Sequence, residues 1–340
     1  MHQISIKDIA RVAQVSHPTV SRALRHSPLV KPQTAERIRL IAGELGYRAN
    51  AVARSLVTQK TMTIGVVVTT IADPFVGEVV SGIEELANDR GYLVILANSS
   101  YDPAREIRVV QSFQEHRVDG ILVTSSRVGS LYLPMLSQMK VPIVLINNEH
   151  AGEFVHSVMI DNIGAGRLAV EHLIGLGHQR IAYLGDLLGY QSDTERYTGY
   201  RQALAAANCP FLAEWLVQGD GLPEGGRLAV EKLLALADPP TAVFCFNDQS
   251  AVGVLSGLHA RGLRVPDDIS VVGFDDLALA SYTDPPLTTI RQPKHLMGRM
   301  AMEMLLDLLD KPPRQTGLKV QGELIIRKSS APPAKRGAIT

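Results

Sequence analysis

The chain is short of several things. Its 340 residues hold two cysteines, Cys209 and Cys245, too few for a disulfide framework and at no metal-ligand spacing, so both read as reduced core thiols. Aromatics make up 5% of the residues, and tryptophan occurs once. No apolar run reaches the roughly eighteen residues that a membrane-spanning helix needs. The first residues, MHQISIKD, contain no apolar stretch like that of a secretory leader, and the expected location is the cytoplasm. Net charge is missing too, since 34 Lys and Arg balance 34 Asp and Glu. What is present, 46% hydrophobic and 20% charged residues, is ordinary globular composition. The length calls for two or three domains, because a single core stops growing near roughly 250–300 residues.

The zero hides an asymmetry. Residues 1–60 carry ten Lys and Arg against three acids, a local charge of +7, which leaves −7 on the other 280 residues. A basic head on an acidic body is the footprint of phosphate binding.

Within the head, Ser5 with Asp8 three positions on reads as a capping box. It opens a helix whose Ile6, Ile9, Ala10 and Ala13 share one face. Gln14 and Val15 break that helix. Ser16 caps a second one over about 17–25, with Pro18 in its first turn, where a missing N–H does no harm. Val20 and Leu24 turn inward; His17, Pro18, Ser21, Arg22 and Arg25 stay outward. A third helix over about 32–45 buries Ala35, Ile38, Ile41, Ala42 and Leu45 and stops at Gly46. Two short helices joined by a tight turn and braced by a third form a helix-turn-helix, whose second helix enters the major groove of DNA. Arg22 is the best-placed base reader, because a guanidinium matches guanine O6 and N7. His17 offers one further bond, and Pro18 an apolar contact to a thymine methyl. Ser5, Ser16 and Tyr47 are expected to hold phosphates. The head has no platform of stacking aromatics, which argues against RNA as its partner.

From about residue 62 the pattern changes. Apolar, β-rich runs at 63–70, 92–99, 120–125, 142–147, 157–161, 180–185, 242–247 and 269–275 alternate with helical stretches at about 75–90, 104–117, 164–176, 196–207, 224–236, 249–261 and 295–309. Apolar strands separated by helices predict parallel sheets covered on both faces. The whole chain is thus expected to be a small all-α head followed by an α/β body of parallel sheets. Ligands of such sheets bind beyond the carboxyl ends of the strands, where the sequence places Asp73, Thr124, Asn147, Asn247 and Asp275. A buried carboxylate and a guanidinium such as Arg196, each able to bond two neighbouring hydroxyls, suit a polyol, and Phe75 offers an apolar face for a sugar ring.

The segments IKDIARVAQVS (6–16), TVSR (19–22), ELGY (44–47) and AVARSL (51–56) make the chain resemble the lac/galactose repressor family of bacterial transcription regulators, essentially end to end to about residue 329. The resemblance implies a head over 1–48, a linker over 49–61 that turns helical on operator DNA, an effector-binding and dimerising body over 62–329, and a flexible tail over 330–340. It implies that Leu56 wedges a base step in the minor groove, that Asn50 caps the linker helix, and that Ala53 packs against its twin. A helix of about seven residues is too short to persist alone, which agrees with folding on DNA. The body is implied to have two lobes like those of periplasmic sugar-binding proteins, one of about 62–160 with 292–320, the other of about 161–291 with 321–329. Between them Phe75, Asn147, Asp161, Arg196, Asn247 and Asp275 line an effector cleft. The implied protein is a repressor that binds a palindromic operator as a homodimer, or as a tetramer, under control of a sugar or sugar derivative. Its dimer surfaces are the helix 75–90 and the region 278–285. One position departs from the pattern: sugar-responsive relatives often carry an aromatic after the Gly-Asp pair, where this chain has Gly221.

No enzyme is expected, and neither a cofactor nor a metal. The stretch GAGRLA at 164–169, with Asp186 about twenty residues on, satisfies the loose dinucleotide fingerprint, but it sits mid-chain rather than in a first βαβ unit. No Ser-His-Asp set or carboxylate pair stands out. His172 and His178 are six residues apart, on different helical faces, which favours structural roles over metal binding. A transport-associated binding protein is the other class the body alone suggests, and it would need export.

Overall fold

The computed structural model describes residues 4–25, 27–47, 55, 58–124, 141–148, 156–187, 189–310 and 317–334. The chain divides into two compact units, Met1–Thr61 and Met62–Thr340.

In the first unit three helices, α1 (Ile6–Ala13), α2 (His17–Leu24) and α3 (Pro32–Glu44), close on a core of Ile9, Ala10, Ala13, Val20, Ala23, Val30, Ala35, Ile38 and Ala42, with Leu24, Ile41, Leu45 and Tyr47 packed at its margin. Asp8 accepts from the Ser5 backbone N–H at 3.0 Å and from its hydroxyl at 2.6 Å, fixing the start of α1. Gln14 takes φ +50° in the tight turn, and the Val15 N–H reaches back to the Ala10 carbonyl at 3.1 Å, satisfying a carbonyl that the helix end leaves open. Ser16 caps α2 by accepting from the Thr19 N–H. Arg37 on α3 donates to the Ala13 carbonyl at 2.9 Å and braces the pair from behind.

The second unit contains two six-stranded sheets. In the first, β1 (Thr63–Val68), β2 (Leu93–Asn98), β3 (Gly120–Thr124), β4 (Ile143–Ile146), β5 (His156–Ile160) and β11 (Gly317–Val320) lie in the order β11-β5-β4-β3-β1-β2, all parallel. In the second, β6 (Ile181–Asp186), β7 (Leu216–Gly219), β8 (Ala242–Cys245), β9 (Ser270–Asp275), β10 (Thr288–Arg291) and β12 (Glu323–Ile325) lie in the order β12-β10-β9-β8-β6-β7, with only β12 antiparallel to its neighbour. The chain passes between the sheets three times, after β5, after β10 and between β11 and β12.

Alternate residues of each strand face opposite ways, and both faces are apolar. Ile64, Val66 and Val68 pack under α4 (Pro74–Asp89) and α10 (Lys294–Asp310), while Val67, Ile121 and Val123 pack under Val110 and Phe113 of α5 (Pro103–Glu115). The second sheet is covered by α6 (Asn162–Gly175) and α7 (Gln191–Ala206) on one face and by α8 (Pro223–Leu234) and α9 (Asp248–Ala260) on the other. Among the described residues no helix is long and apolar enough to cross a membrane.

Several details differ from the sequence reading. Strands β7, β10, β11 and β12 carry short, mixed or polar sequences that show no apolar run. Helix α7 begins at Gln191, so Arg196 lies in its second turn rather than opening it. The segment after 329 is tied down before any tail begins. Ser330 bonds His172 at 2.9 Å, and the Ala331 carbonyl lies 2.9 Å from His178 Nε2 and accepts from the Ser270 hydroxyl at 3.1 Å.

Candidate functional site

Two sites need separate description. On the head, His17, Pro18 and Arg22 of α2, Ser16 before it and Arg25 after it are exposed, and Ser21 is half-buried. Arg25 bonds the Ser21 carbonyl at 3.1 Å and its hydroxyl at 2.9 Å, which holds both side chains along the helix. The Ser16 hydroxyl is engaged with Thr19, and the Ser5 hydroxyl donates to Asp8. Tyr47 packs against the head's core. Asn50, Ala53 and Leu56 lie outside the described residues.

The body carries a cleft of about 620 Å³, counted to its open mouth, where the strand ends of the two sheets converge. Six sequence-predicted residues meet there: Asp73, Phe75, Asn147, Arg196, Asn247 and Asp275. Thr124 and Asp161 do not line it. The Thr124 hydroxyl, 1% exposed as a residue, donates to the Val67 carbonyl, and the Asp161 carboxylate accepts from the Gly164 N–H to cap α6. Thr69, Tyr101, Asp186, Tyr190, Ser192, Asp220, Leu222, Phe246, Gln249 and Gln292 complete the lining together with Gly221. Of these only Gly221, with Asp220 of the Gly-Asp pair before it, drew notice from the sequence, and Asp186 only within the dinucleotide pattern; as the polar end of an apolar strand, Asp186 carried the same signal as Asp275.

Arg196 is 3% exposed. It donates from Nε to Asn162 at 2.9 Å and from Nη1 to the Phe246 carbonyl at 2.6 Å, with its guanidinium 3.6 Å from the ring centroid of Phe274. Burial lowers its pKa, and Asp275 opposes that shift. Such a desolvated cation over a ring gains about 2 kcal/mol. Asp275 holds a left-handed backbone, φ +125°. Its Oδ1 accepts from Gln292 Nε2 at 2.6 Å, and its carbonyl accepts from Lys294 Nζ at 2.7 Å. Burial pushes its carboxyl up to about 7 against the pull of Arg196. Gln292 in turn accepts from Asn147 Nδ2 at 3.4 Å, so one bonded chain joins a β4 end to a β9 end across the cleft floor. Asn147 Oδ1 is buried without a donor, a state worth about 1–3 kcal/mol to relieve. At the other wall Asp73 caps α4 by accepting from the Phe75 N–H at 3.0 Å, and it meets Gln249 of α9 at 3.4 Å. Asn247 caps α9 through the Ser250 N–H and donates to the Gly221 carbonyl at 2.9 Å. Gly221 itself has φ +75°.

The glycines of the dinucleotide-like stretch have a packing role. At Gly166 a side chain would run into the Arg196 backbone of α7, so the residue sets the approach of two helices. His178 bonds Thr241, Ser270 and Ala331, and no metal-binding group occurs among the described residues.

A helix-turn-helix head with exposed basic residues, joined to a two-sheet body with a polar cleft, defines a DNA-binding regulator with a small-molecule pocket. Residues 5–50 match the family described as bacterial regulatory proteins, lacI family, and residues 170–330 match the periplasmic binding protein-like domain. The HTH-type transcriptional repressor PurR of Vibrio campbellii is 37% identical over 327 residues, 96% of this chain and 98% of that protein. Among solved structures, the lac repressor dimer bound to operator and the anti-inducer ONPF aligns with a TM-score of 0.89 at 28% identity over 97% of this chain and all of the other. A complex of the regulator CelR with cellobiose aligns at 0.74 and 33% identity, covering 96% of this chain and all of that one. The chain belongs to the lacI family: it is a transcriptional repressor, not an enzyme.

Proposed function

We propose that the protein represses its target genes by binding a two-fold symmetric operator as a homodimer, and that a sugar or sugar derivative in the cleft controls this binding. The observation that carries the reading is the pairing in one cleft of a buried guanidinium, Arg196, with a carboxylate of shifted proton affinity, Asp275. Such groups offer paired bonds to neighbouring hydroxyls. Arg22 and His17 read base edges, and Leu56, with Asn50 and Ala53, forms the linker helix that wedges the minor groove.

Dimerisation runs through α4 and the segment 278–285. In support, Tyr282 is 84% exposed and Leu279 52%, and a second, apolar groove lies between Pro74, Gly77, Val252, Leu277 and Leu279. Closure of the cleft by effector changes the angle of the two lobes and with it the spacing of the paired linkers, which makes or melts their helices. The coupling a ligand exerts this way is typically about 1–3 kcal/mol.

The test is selection of duplexes from a random pool by the purified protein. Enrichment of a palindrome, bound with a steep salt dependence and released or tightened by a sugar, is the expected result. A pool that yields no enriched sequence refutes the operator reading, and Asp275→Ala with an undiminished sugar response removes that residue from the site.

A further inference from the structure

Asn147, Gln292 and Asp275 all line the cleft, all are buried, and they form one hydrogen-bonded chain whose direction is set at one end. Gln292 Nε2 donates to Asp275 Oδ1 at 2.6 Å, and Asn147 Nδ2 donates to Gln292 Oε1 at 3.4 Å. A side-chain amide has a donating end and an accepting end, whereas a carboxylate only accepts. An ionised Asp275 therefore turns the nitrogen of Gln292 toward itself and the oxygen toward Asn147. Asn147 answers with its nitrogen, and its Oδ1 is left over, buried and without a donor.

A proton on Asp275 removes the constraint. A buried O–H needs an acceptor, and the side-chain bond of Asp275 among the described residues is the one between Oδ1 and Gln292. With the proton on Oδ1, the acceptor in reach is Gln292 Oε1, once that amide has turned over. Its nitrogen then donates to Asn147 Oδ1, and the group that Asn147 has to spare is its N–H₂ instead of its oxygen.

The surroundings of Asp275 bring both states within reach near neutral pH. Burial pushes its carboxyl up to about 7; Arg196 of α7 pulls it down, Asp73 before α4 pushes it up, and the bond from Gln292 and the charge of Lys294 of α10 pull it down. Asp248 of α9 and Asp275 repel each other, while the neighbouring Asp276 is held by Arg291 and Arg327.

We propose that Asn147 determines specificity in the effector cleft, a step that rests on the effector reading above, and that the protonation state of Asp275, transmitted by the direction of the Gln292 amide, sets its polarity. With Asp275 ionised, Asn147 rewards a ligand hydroxyl or N–H. With Asp275 protonated, it rewards a ligand acceptor. Gln292 is the positioning residue between the two.

Nuclear magnetic resonance of the full chain, labelled with carbon-13 at asparagine and aspartate side chains, tests the relay without a ligand. The Asn147 signal is identified by its loss in Asn147→Leu or, should that variant not fold, in Asn147→Asp. As pH falls from 9 to 5 the Asn147 side-chain carbonyl should move downfield, because it gains a donor, and it should follow the Asp275 carboxyl through one common midpoint. In Asp275→Asn the movement should vanish. A carbonyl that stays still while Asp275 titrates, one that still moves in Asp275→Asn, or an Asp275 that does not titrate in this range overturns the proposal.

Titration calorimetry at pH 8.5 and 5.5 then reads the ligand side, with glucose, galactose and mannose and their deoxyfluoro analogues, in which fluorine keeps an acceptor and removes the donor. At one ring position fluorine should weaken binding about tenfold at pH 8.5, the size of one lost hydrogen bond, and much less at pH 5.5. In Asn147→Leu the fluorine penalty there should be the same at both pH values. Sugars that bind with a pH-independent fluorine penalty at every position overturn the specificity role and leave the effector reading in place. If none of these sugars binds, and ribose, xylose and disaccharides fail as well, the sugar-effector reading falls, while the carbonyl titration still decides the relay.

Discussion

Gln292 Nε2 lies 2.6 Å from Asp275 Oδ1, at the point where the chain leaves the second sheet for the helix that covers the first. Both side chains are buried. Through Asn147 the same glutamine reaches the first sheet, so this cleft carboxylate is tied to both lobes. Gln292→Leu keeps the volume and removes the donor. A buried acceptor left unpaired costs about 1–3 kcal/mol, and urea denaturation of the variant should show a loss of that size. A variant as stable as the parent would mean that the bond contributes nothing net.

Asp275 also sets a pH dependence. Its carboxyl is raised to about 7 by burial, against about 3.9 in an unfolded chain. Between those values the folded state holds a proton that the unfolded state has lost, so this group's contribution to stability falls as pH rises from about 4 to 7. His172 and His178, whose pKa values burial lowers, act in the opposite direction, and the comparison must therefore be a difference. Relative to Asp275→Asn, the parent should lose up to about 1.4 kcal/mol per pH unit between pH 5 and 7. Denaturant unfolding at pH 5, 6, 7 and 8 measures it. A difference that stays flat would show that Arg196 keeps the carboxylate ionised throughout.

The closest helix crossing of the first lobe depends on having no side chain. A Cβ at Gly82 of α4 would meet the His295 carbonyl of α10, and one at Gly298 would meet the Val79 carbonyl of α4. Gly82→Ala forces these helices apart over a core that includes Val79, Ile83, Met297 and Ala301. Overpacking of this kind costs about 1–3 kcal/mol or more. Calorimetric unfolding should show the body melting earlier while α1 to α3 keep their own transition.

Much of this architecture was legible in the sequence because each signal was local. Ser5 with Asp8, Ser16 with Pro18, and Gly46 mark helix ends through backbone chemistry that neighbours supply. Ile64 to Val68 and Val271 to Phe274 are apolar throughout, because covered parallel strands need both faces dry. Asp73 and Asn247 were visible as strand-end polar residues that cap the next helix. The same signal pointed to Thr124, whose hydroxyl instead bonds the Val67 carbonyl of the neighbouring strand, and the resemblance pointed to Asp161, whose carboxylate caps α6. Gln292, Tyr190 and Ser192 stayed hidden. They reach the cleft through the lobe crossing and the start of α7, and nothing in a one-dimensional pattern marks a residue whose role is set by how separate elements are brought together.

The head makes a distinction that binding can read. Arg22 is exposed on α2, so Arg22→Ala should leave the fold intact. If Arg22 reads guanine, the variant loses about 1–3 kcal/mol on the selected operator and far less on a scrambled duplex, since a base contact carries discrimination and a phosphate contact does not. Lys7→Ala, exposed on the first helix, is the control. As a phosphate neutraliser it should weaken both duplexes alike and reduce the salt slope by about 1. Leu56→Ala should weaken operator binding without changing the salt slope, because a wedge carries no charge. Fluorescence anisotropy at three salt concentrations separates the three. Equal losses on operator and scrambled DNA for Arg22→Ala would demote that residue from base reader to backbone anchor.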